Sequence, residues 1–143
     1  IHAILSACQK MAQSKTGAII VLQRNNSLDF VKSTGDAMSV EVNQPILESI
    51  FYKNSPLHDG ALIIEDNTIK ATRVILPVTS ETNLPARFGL RHRAAVGITE
   101  RTDAVCLVVS EESGQISYLK EGDFVLFKDL EELERTLAKD LSA

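Results

Sequence analysis

The sequence predicts a single α/β domain with a mixed parallel and antiparallel central sheet surrounded by helices. Segments with helical spacing alternate with short apolar runs along the chain. Two β-rich runs, residues 61–65 and 68–78, are separated only by Asp66 and Asn67, which tolerate the backbone of a tight antiparallel hairpin. A length of 143 residues, 44% of them apolar, suits one globular core. We therefore expect residues 1–143 to form one domain.

The first half of the chain predicts a helix, a strand and a second helix. Apolar residues recur at intervals of three and four over residues 1–13, which is typical of an amphipathic helix. The apolar run at residues 18–23 predicts a buried strand. Residues 43–45, Asn-Gln-Pro, supply a helix cap and a first-turn proline, so we expect a helix from there through Tyr52.

The second half predicts a loop, a helix, three strands and a closing helix. Pro77 and Pro85 bracket a polar loop, and residues 89–101 then show helical spacing. Short β-rich runs separated by turn residues predict strands at residues 105–109, 115–119 and 124–127. An apolar stripe with helical spacing closes the chain at Leu130, Leu133, Leu137 and Leu141.

Composition excludes several classes of function. The net charge of -4 and the lack of a Lys/Arg run disfavour nucleic acid as the main partner. The longest apolar runs are far shorter than the ~20 residues of a membrane helix, and no secretory signal is recognisable.

Cys8 and Cys106 lack the spacing of a zinc or redox site, so we expect inert core thiols in a reducing cytoplasm. Because residue 1 is Ile rather than Met, we interpret the chain as part of a longer protein.

The first candidate functional segment is residues 57–61, Leu-His-Asp-Gly-Ala, at a predicted junction of loop and strand. His58 and Asp59 offer a ring nitrogen and a carboxylate, and Gly60 lets backbone approach a ligand closely. The alternative is an ordinary Asp-Gly turn that leads into a strand.

The second candidate segment is residues 89–93, Gly-Leu-Arg-His-Arg, in the first turn of a predicted helix. Free N–H groups and the helix dipole attract anions there, and arginine adds bidentate contacts to phosphate. Cations at this end are unfavourable unless an anion binds, so Arg91 and Arg93 indicate a phosphate site. The alternative is salt bridges to Glu100 or Asp103.

The third candidate segment is residues 110–114, Ser-Glu-Glu-Ser-Gly, at the end of an apolar strand. Its hydroxyl and carboxylate oxygens suit Mg²⁺ or Mn²⁺ bound to phosphate. The alternative is a polar hairpin turn.

Together these segments resemble the diadenylate cyclase domain, whose signatures are an Asp-Gly-Ala motif and an Arg-His-Arg motif at about this separation. The resemblance covers nearly the whole chain, through residues 12–18, 55–61, 91–97 and 109–114. The chain is similar to the membrane-tethered branch, in which membrane-spanning helices precede the cyclase, rather than to the DNA-scanning branch.

The resemblance implies a domain that condenses two ATP into cyclic di-AMP and two pyrophosphates, with Mn²⁺ or Mg²⁺ as cofactor. Asp59 and Gly60 would lie beside the ribose 3′-hydroxyl, and the triphosphate would be surrounded by Arg91, His92, Arg93 and Ser110. The implied catalytic positions are Asp59, Gly60, Ala61, Arg91, His92 and Arg93. The implied nucleotide contacts are Leu76 beside adenine, Leu90, Ser110 and Glu111. Metal contacts are sought at His58 and Glu112, and also at Glu111.

Two positions depart from the family pattern. Leu90 stands where the family usually has Thr before Arg-His-Arg, so a hydroxyl contact to phosphate is lost. Ile75 stands where an aromatic residue often precedes Leu-Pro, which replaces ring stacking by aliphatic packing. Neither departure removes Asp59 or an arginine, so we expect activity.

The resemblance also implies partners. Each ATP must present its 3′-hydroxyl to the α-phosphate of the other, so a homodimer is required. Missing N-terminal helices would hold the domain at the cytoplasmic face of the membrane, and the resemblance leaves room for a regulatory protein partner. Two alternatives stay open: a nucleotide-binding sensor that has lost turnover, favoured by Leu90, and a protein-interaction module that does not bind ATP.

Overall fold

A computed structural model describes residues 1–79, 84–85 and 88–142, and it confirms the predicted α/β architecture. The helices are α1 (His2–Gln13), α2 (Asp29–Lys32), α3 (Gln44–Phe51), α4 (Leu90–Arg101) and α5 (Leu130–Ser142). The strands are β1 (Ala18–Leu22), β2 (Asp36–Glu41), β3 (Ala61–Glu65), β4 (Thr68–Val74), β5 (Val105–Val109), β6 (Ile116–Lys120) and β7 (Asp123–Val125).

In the described part of the chain, seven strands form one mixed sheet in the order β2-β4-β3-β1-β5-β6-β7. Strands β1 and β3 are parallel, whereas the other neighbouring pairs are antiparallel. The central strands β1 and β5 are buried along their whole length, which explains why both read as unbroken apolar runs.

The sheet has a hydrophobic cluster on each face. Along β1, Ala18, Ile20 and Leu22 belong to the cluster that α1, α3 and α5 cover. Ile19 and Val21 point to the opposite cluster, which α4 covers. This alternation is the two-residue period of a strand, and it places helices on both faces of the sheet.

The predicted helix boundaries are largely confirmed. The side chain of Asn43 accepts a hydrogen bond from the Ile46 N–H at 2.9 Å, so it caps α3 as its sequence predicts. Leu133 and Leu137 of α5 are buried, as its apolar stripe predicts. Cys8 and Cys106 are buried and unbridged, and burial raises the pKa of both thiols, that of Cys8 to about 12.

Residues 28–42, for which the sequence predicts no element, contain α2 and the edge strand β2. Two predicted boundaries are wrong. The strand predicted to reach residue 78 ends at Val74, because Val74 pairs with Ala61, the first residue of the neighbouring strand β3. The strand predicted at residues 124–127 is β7, which ends at Val125.

Helices long and apolar enough to cross a membrane are absent from residues 1–79, 84–85 and 88–142.

Candidate active site

One cavity of about 500 Å³ collects residues from all three candidate segments. Asp59 and Gly60 come from the first segment, Arg91 and His92 from the second, and residues 110–112 from the third. The volume lies within the usual range of small-molecule sites. The remaining lining residues are Ile19, Val74, Ile75, Leu76, Val78, Gly89, Leu90 and Ala94.

Sheet topology explains why these distant segments meet. Strand β1 is parallel to β3 and antiparallel to β5, so the start of β3 and the end of β5 both lie beside the start of β1. Gly60 directly precedes β3, and Ser110 directly follows β5. The first turn of α4 supplies Arg91 at the same end of these central strands.

Gly60 is required by the backbone at the entrance to β3. Its φ is +81°, a conformation that L side chains rarely adopt. A Cβ at this position would lie 2.9 Å from the Cα of Arg73 and 2.9 Å from the carbonyl oxygen of Val74. The glycine therefore lets the loop pack directly on β4 and presents Asp59 at the rim, where its side chain is 88% exposed.

His58 is oriented by its own loop. Its Nδ1 lies 2.8 Å from the carbonyl oxygen of Ser55, and a carbonyl only accepts hydrogen bonds, so Nδ1 carries the proton. In the neutral ring the lone pair is then on Nε2, which lies 3.9 Å from the Oδ1 of Asp59. The predicted metal contact His58 is thus adjacent to the predicted catalytic carboxylate, with its ligating nitrogen on that side.

Arg91 forms an ion pair with the third segment. Its Nη1 lies 3.2 Å from the Oε1 of Glu111, so the pairing with Glu100 or Asp103 that the sequence suggested as an alternative is wrong for Arg91. The carboxylate of Asp103 instead accepts hydrogen bonds from the backbone N–H groups of residues 25 and 26. The carboxylate of Glu111 is therefore paired with the guanidinium of Arg91, and both residues line the cavity.

His92 is a buried aromatic contact at the cavity wall. Its ring lies 4.8 Å from that of Phe88 and 6.2 Å from that of Phe124, measured between centroids. Burial, together with the charge of Arg91, lowers the pKa of His92 below its usual 6.5. The imidazole is therefore neutral near pH 7.

Ala61 and Arg93 do not line the cavity. Ala61 is the first residue of β3 and is buried in the core. Arg93 lies two positions beyond Arg91, about 200° around the helix, and its carbonyl oxygen accepts the Thr79 N–H at 3.1 Å. Their roles toward the nucleotide stay predictions.

Ser110 is prepared to donate a hydrogen bond. Its Oγ accepts the backbone N–H groups of Glu112 and Ser113, both at 3.2 Å. The hydroxyl hydrogen is the part of the group left to donate, which suits an acceptor such as a phosphate oxygen.

Apolar side chains form the opposite wall. Leu76 is buried and contacts the core, whereas Ile75 and Leu90 are 69% and 75% exposed at the mouth. The sequence does not identify four further apolar residues of the wall, because an apolar residue in a cavity wall has the same sequence pattern as one in the core. These residues are Ile19, Val74, Val78 and Ala94.

The predicted metal contacts lie on different segments. His58 is beside Asp59, and Glu112 lines the cavity from the loop after β5. Within the described part of the chain, no group of three or more His, Cys, Asp or Glu side chains is arranged to hold a metal ion.

Comparison with known proteins places these features in one family. Residues 5–124 match the family model DAC, described as "DisA bacterial checkpoint controller nucleotide-binding". The diadenylate cyclase CdaS of Bacillus thuringiensis is 44% identical over 119 residues, which are 83% of this chain and 59% of that protein.

Two solved structures have the same fold. DacA from Staphylococcus aureus, an N166C/T172C double mutant, matches with a TM-score of 0.95 and 37% identity, over 99% of this chain and 95% of that one. A hypothetical membrane spanning protein from Bacillus cereus matches with a TM-score of 0.85 and 41% identity, over 90% of this chain and 63% of that one. The chain spans between half and three fifths of the length of the first curated relatives. A match over most of its residues, at this identity and with this shared fold, shows that the chain belongs to the DAC family of nucleotide-binding domains.

Proposed function

We propose that this domain is a diadenylate cyclase, which condenses two ATP into cyclic di-AMP and two pyrophosphates for second-messenger signalling. The observation that carries the proposal is the single cavity in which Asp59, Arg91 and Ser110 meet from three distant segments. Relatives named as diadenylate cyclases support the same activity.

The reaction needs a nucleophile, an electrophile and a leaving group in line. The 3′-oxygen of one ATP forms a bond to the α-phosphorus of the other, and the bond from that phosphorus to the bridging oxygen of pyrophosphate breaks. The 3′-hydroxyl loses its proton, and the same exchange in the opposite direction closes the ring. Such chemistry depends on positioning and on neutralising charge.

Asp59 is proposed to orient the 3′-hydroxyl and to receive its proton. A carboxylate is a weak base for an alcohol, so its contribution is chiefly to align the oxygen. Its exposure at the rim of the cavity supports this role, because a second nucleotide can reach the hydroxyl there.

Arg91 and Ser110 are proposed to hold the triphosphate. The guanidinium faces the cavity and would exchange its bond to Glu111 for phosphate oxygens as charge grows on the leaving group. The free hydroxyl hydrogen of Ser110 would donate to another phosphate oxygen. Arg93 is proposed to add charge from outside the cavity wall, and Leu76 to pack against adenine beside Ile75.

His58 is the residue of the first segment that would hold a divalent ion, with Glu112 and Glu111 as further contacts. With the proton on Nδ1, the neutral His58 ring has its lone pair on Nε2, and the two glutamates offer the carboxylate oxygens that suit Mn²⁺ and Mg²⁺. A divalent ion bound there would supply positive charge beside the phosphates.

The active species is proposed to be a homodimer with two cavities face to face, because one cavity holds one ATP and the reaction joins two. We further propose that segments outside this chain tether it to the cytoplasmic face of the membrane. The structural relative described as membrane spanning supports this location. A regulatory protein partner would act on this assembly.

Asp59→Asn tests the assignment, with Asp66→Asn as its matched control. Both substitutions remove one carboxylate, but Asp66 lies in the β3–β4 turn, where its positive φ also suits Asn. Product is measured by mass detection and ATP affinity by calorimetry, in Mn²⁺ and in Mg²⁺. We expect Asp59→Asn to abolish product while ATP affinity changes little, and the control to behave like wild type. Turnover of Asp59→Asn within a few-fold of wild type would contradict the assigned role.

A further inference from the structure

The guanidinium of Arg91 lies directly on the backbone of Gly17, the residue before β1. A Cβ at position 17 would lie 2.6 Å from Nη1 and 2.8 Å from Nε of Arg91, and closer still to Cζ. Gly17 itself is buried. The same Nη1 lies 3.2 Å from the Oε1 of Glu111, so the guanidinium contacts both the backbone of Gly17 and the carboxylate of Glu111.

We infer that Gly17 is a positioning residue, whose missing side chain leaves the space in which Arg91 is aimed at the triphosphate. This inference rests on the proposed function, in which Arg91 binds phosphate. Register supports it, because Ala18 pairs with Val109 in the sheet, so Gly17 lies beside the start of the segment that carries Ser110 and Glu111. The loop before β1 is thereby part of the phosphate side of the site.

The glycine is required for space rather than for backbone conformation. Positive φ values occur at Gly60, Gly114 and Gly122 but not at Gly17. The three atoms nearest to an added Cβ all belong to the end of the Arg91 side chain. At Gly97, by contrast, the nearest atoms are backbone. Alanine at position 17 is therefore compatible with the fold, and its methyl group displaces the guanidinium.

The test is a double-mutant cycle of Gly17→Ala and Arg91→Ala, with ATP and adenosine affinities measured by calorimetry and folding by thermal unfolding. We expect Gly17→Ala to unfold near the wild-type temperature and to bind ATP roughly ten-fold more weakly, which is part of the loss from removing a charged hydrogen-bonding group. Adenosine affinity should not change, because adenosine has no phosphates. In the Arg91→Ala background, Gly17→Ala should have no further effect on ATP affinity.

Three results would overturn the inference. The first is wild-type ATP affinity in Gly17→Ala, and the second is an equal loss in both backgrounds, which would indicate a structural role independent of Arg91. The third is an unfolded Gly17→Ala variant, since the methyl group would then meet more than the guanidinium. Wild-type protein that binds no ATP would overturn the proposed function together with this inference, whereas the first two results leave the proposed function standing.

Discussion

At the scale of single residues, local hydrogen bonds set the chemistry of the site. The carbonyl of Ser55 fixes the proton of His58 on Nδ1, and the turn after β5 uses the acceptor capacity of Ser110. The hydrogen-bond donors and acceptors of His58 and Ser110 are thus defined before a ligand binds. This lowers the free-energy cost of ordering the two side chains on binding. The short sequence motifs contain this information, because each partner is within three residues.

His92 should make the protein less stable in acid. Burial and the charge of Arg91 lower the pKa of His92 in the folded protein below the 6.5 of an exposed histidine. Below pH 6.5 the imidazole of the unfolded chain therefore binds a proton more readily than the imidazole of the folded protein. Acidification through and below pH 6.5 therefore favours unfolding at this residue. His92→Phe keeps an aromatic ring between Phe88 and Phe124 and removes the titration. Thermal unfolding from about pH 8 to about pH 5 should show a smaller acid loss in the variant than in wild type.

The same pH series contains its own control. At about pH 8 the ring is neutral in both folded and unfolded chains, so a difference between variant and wild type there reports packing alone. If the unfolding temperatures of His92→Phe and wild type fall by the same amount over the whole pH range, a buried neutral His92 is contradicted.

At the scale of elements, helix α4 connects the two walls of the cavity. Its first turn carries Arg91 and His92, and its middle packs on the segment after β4 that supplies Leu76 and Val78. Gly97 permits this contact, because a Cβ there would collide with the carbonyl of Pro77 and lie 3.1 Å from the Thr79 nitrogen. The helix and the adenine-side segment are thus in direct backbone contact.

Gly97→Ala should destabilise the fold even though alanine favours helices. Alanine in a helix interior gains about 1 kcal/mol over glycine when space is available. Here the methyl group meets backbone, and such overpacking costs roughly 1–3 kcal/mol net of relaxation. Gly89→Ala is the comparison variant at the start of the same helix, where nothing lies within 4 Å of an added Cβ and only the capping preference for glycine over alanine is lost. Urea unfolding should show a larger fall in the free energy of unfolding for Gly97→Ala than for Gly89→Ala, and equal falls would contradict the close contact.

Elements with strong periodicity were predictable, and short or edge elements were not. The apolar runs of β1 and β5 and the cap of α3 specify these elements locally. Strand β2 is an edge strand that alternates between half-buried and exposed residues, so its pattern is weak and β4 sets its pairing. The early end of β4 was also hidden, because the apolar residues after Val74 continue the sequence pattern of a strand, whereas the partner strand β3 begins at Ala61, opposite Val74.

At the scale of the whole molecule, the sequence motifs predicted which segments form the site but not all of its contacts. Arg91 pairs with Glu111, twenty positions away, rather than with a residue on its own helix. Helical spacing alone favours the nearer partner, and only the sheet order brings the end of β5 to the start of α4. The space that Gly17 leaves for Arg91 belongs to the same class of tertiary contact.

The proposed dimer predicts a steep dependence on enzyme concentration. The chain has a net charge of -4, so two copies repel each other and associate weakly. At low protein concentration and saturating ATP, velocity should rise roughly as the square of the enzyme concentration, since the dimer carries the rate. Light scattering during turnover gives the oligomeric state. Velocity proportional to enzyme, from a species that stays monomeric, would contradict the face-to-face arrangement.

The most direct measurement is the product formed from ATP compared with that formed from 3′-deoxy-ATP, which lacks the nucleophilic hydroxyl. Each nucleotide is incubated with the domain and Mn²⁺ or Mg²⁺, its binding is measured by calorimetry, and nucleotide products and pyrophosphate are quantified. We predict cyclic di-AMP from ATP with two pyrophosphates for each molecule, and no dinucleotide from 3′-deoxy-ATP although it binds. Tight binding of ATP with no product would contradict a cyclase and would instead indicate a nucleotide sensor.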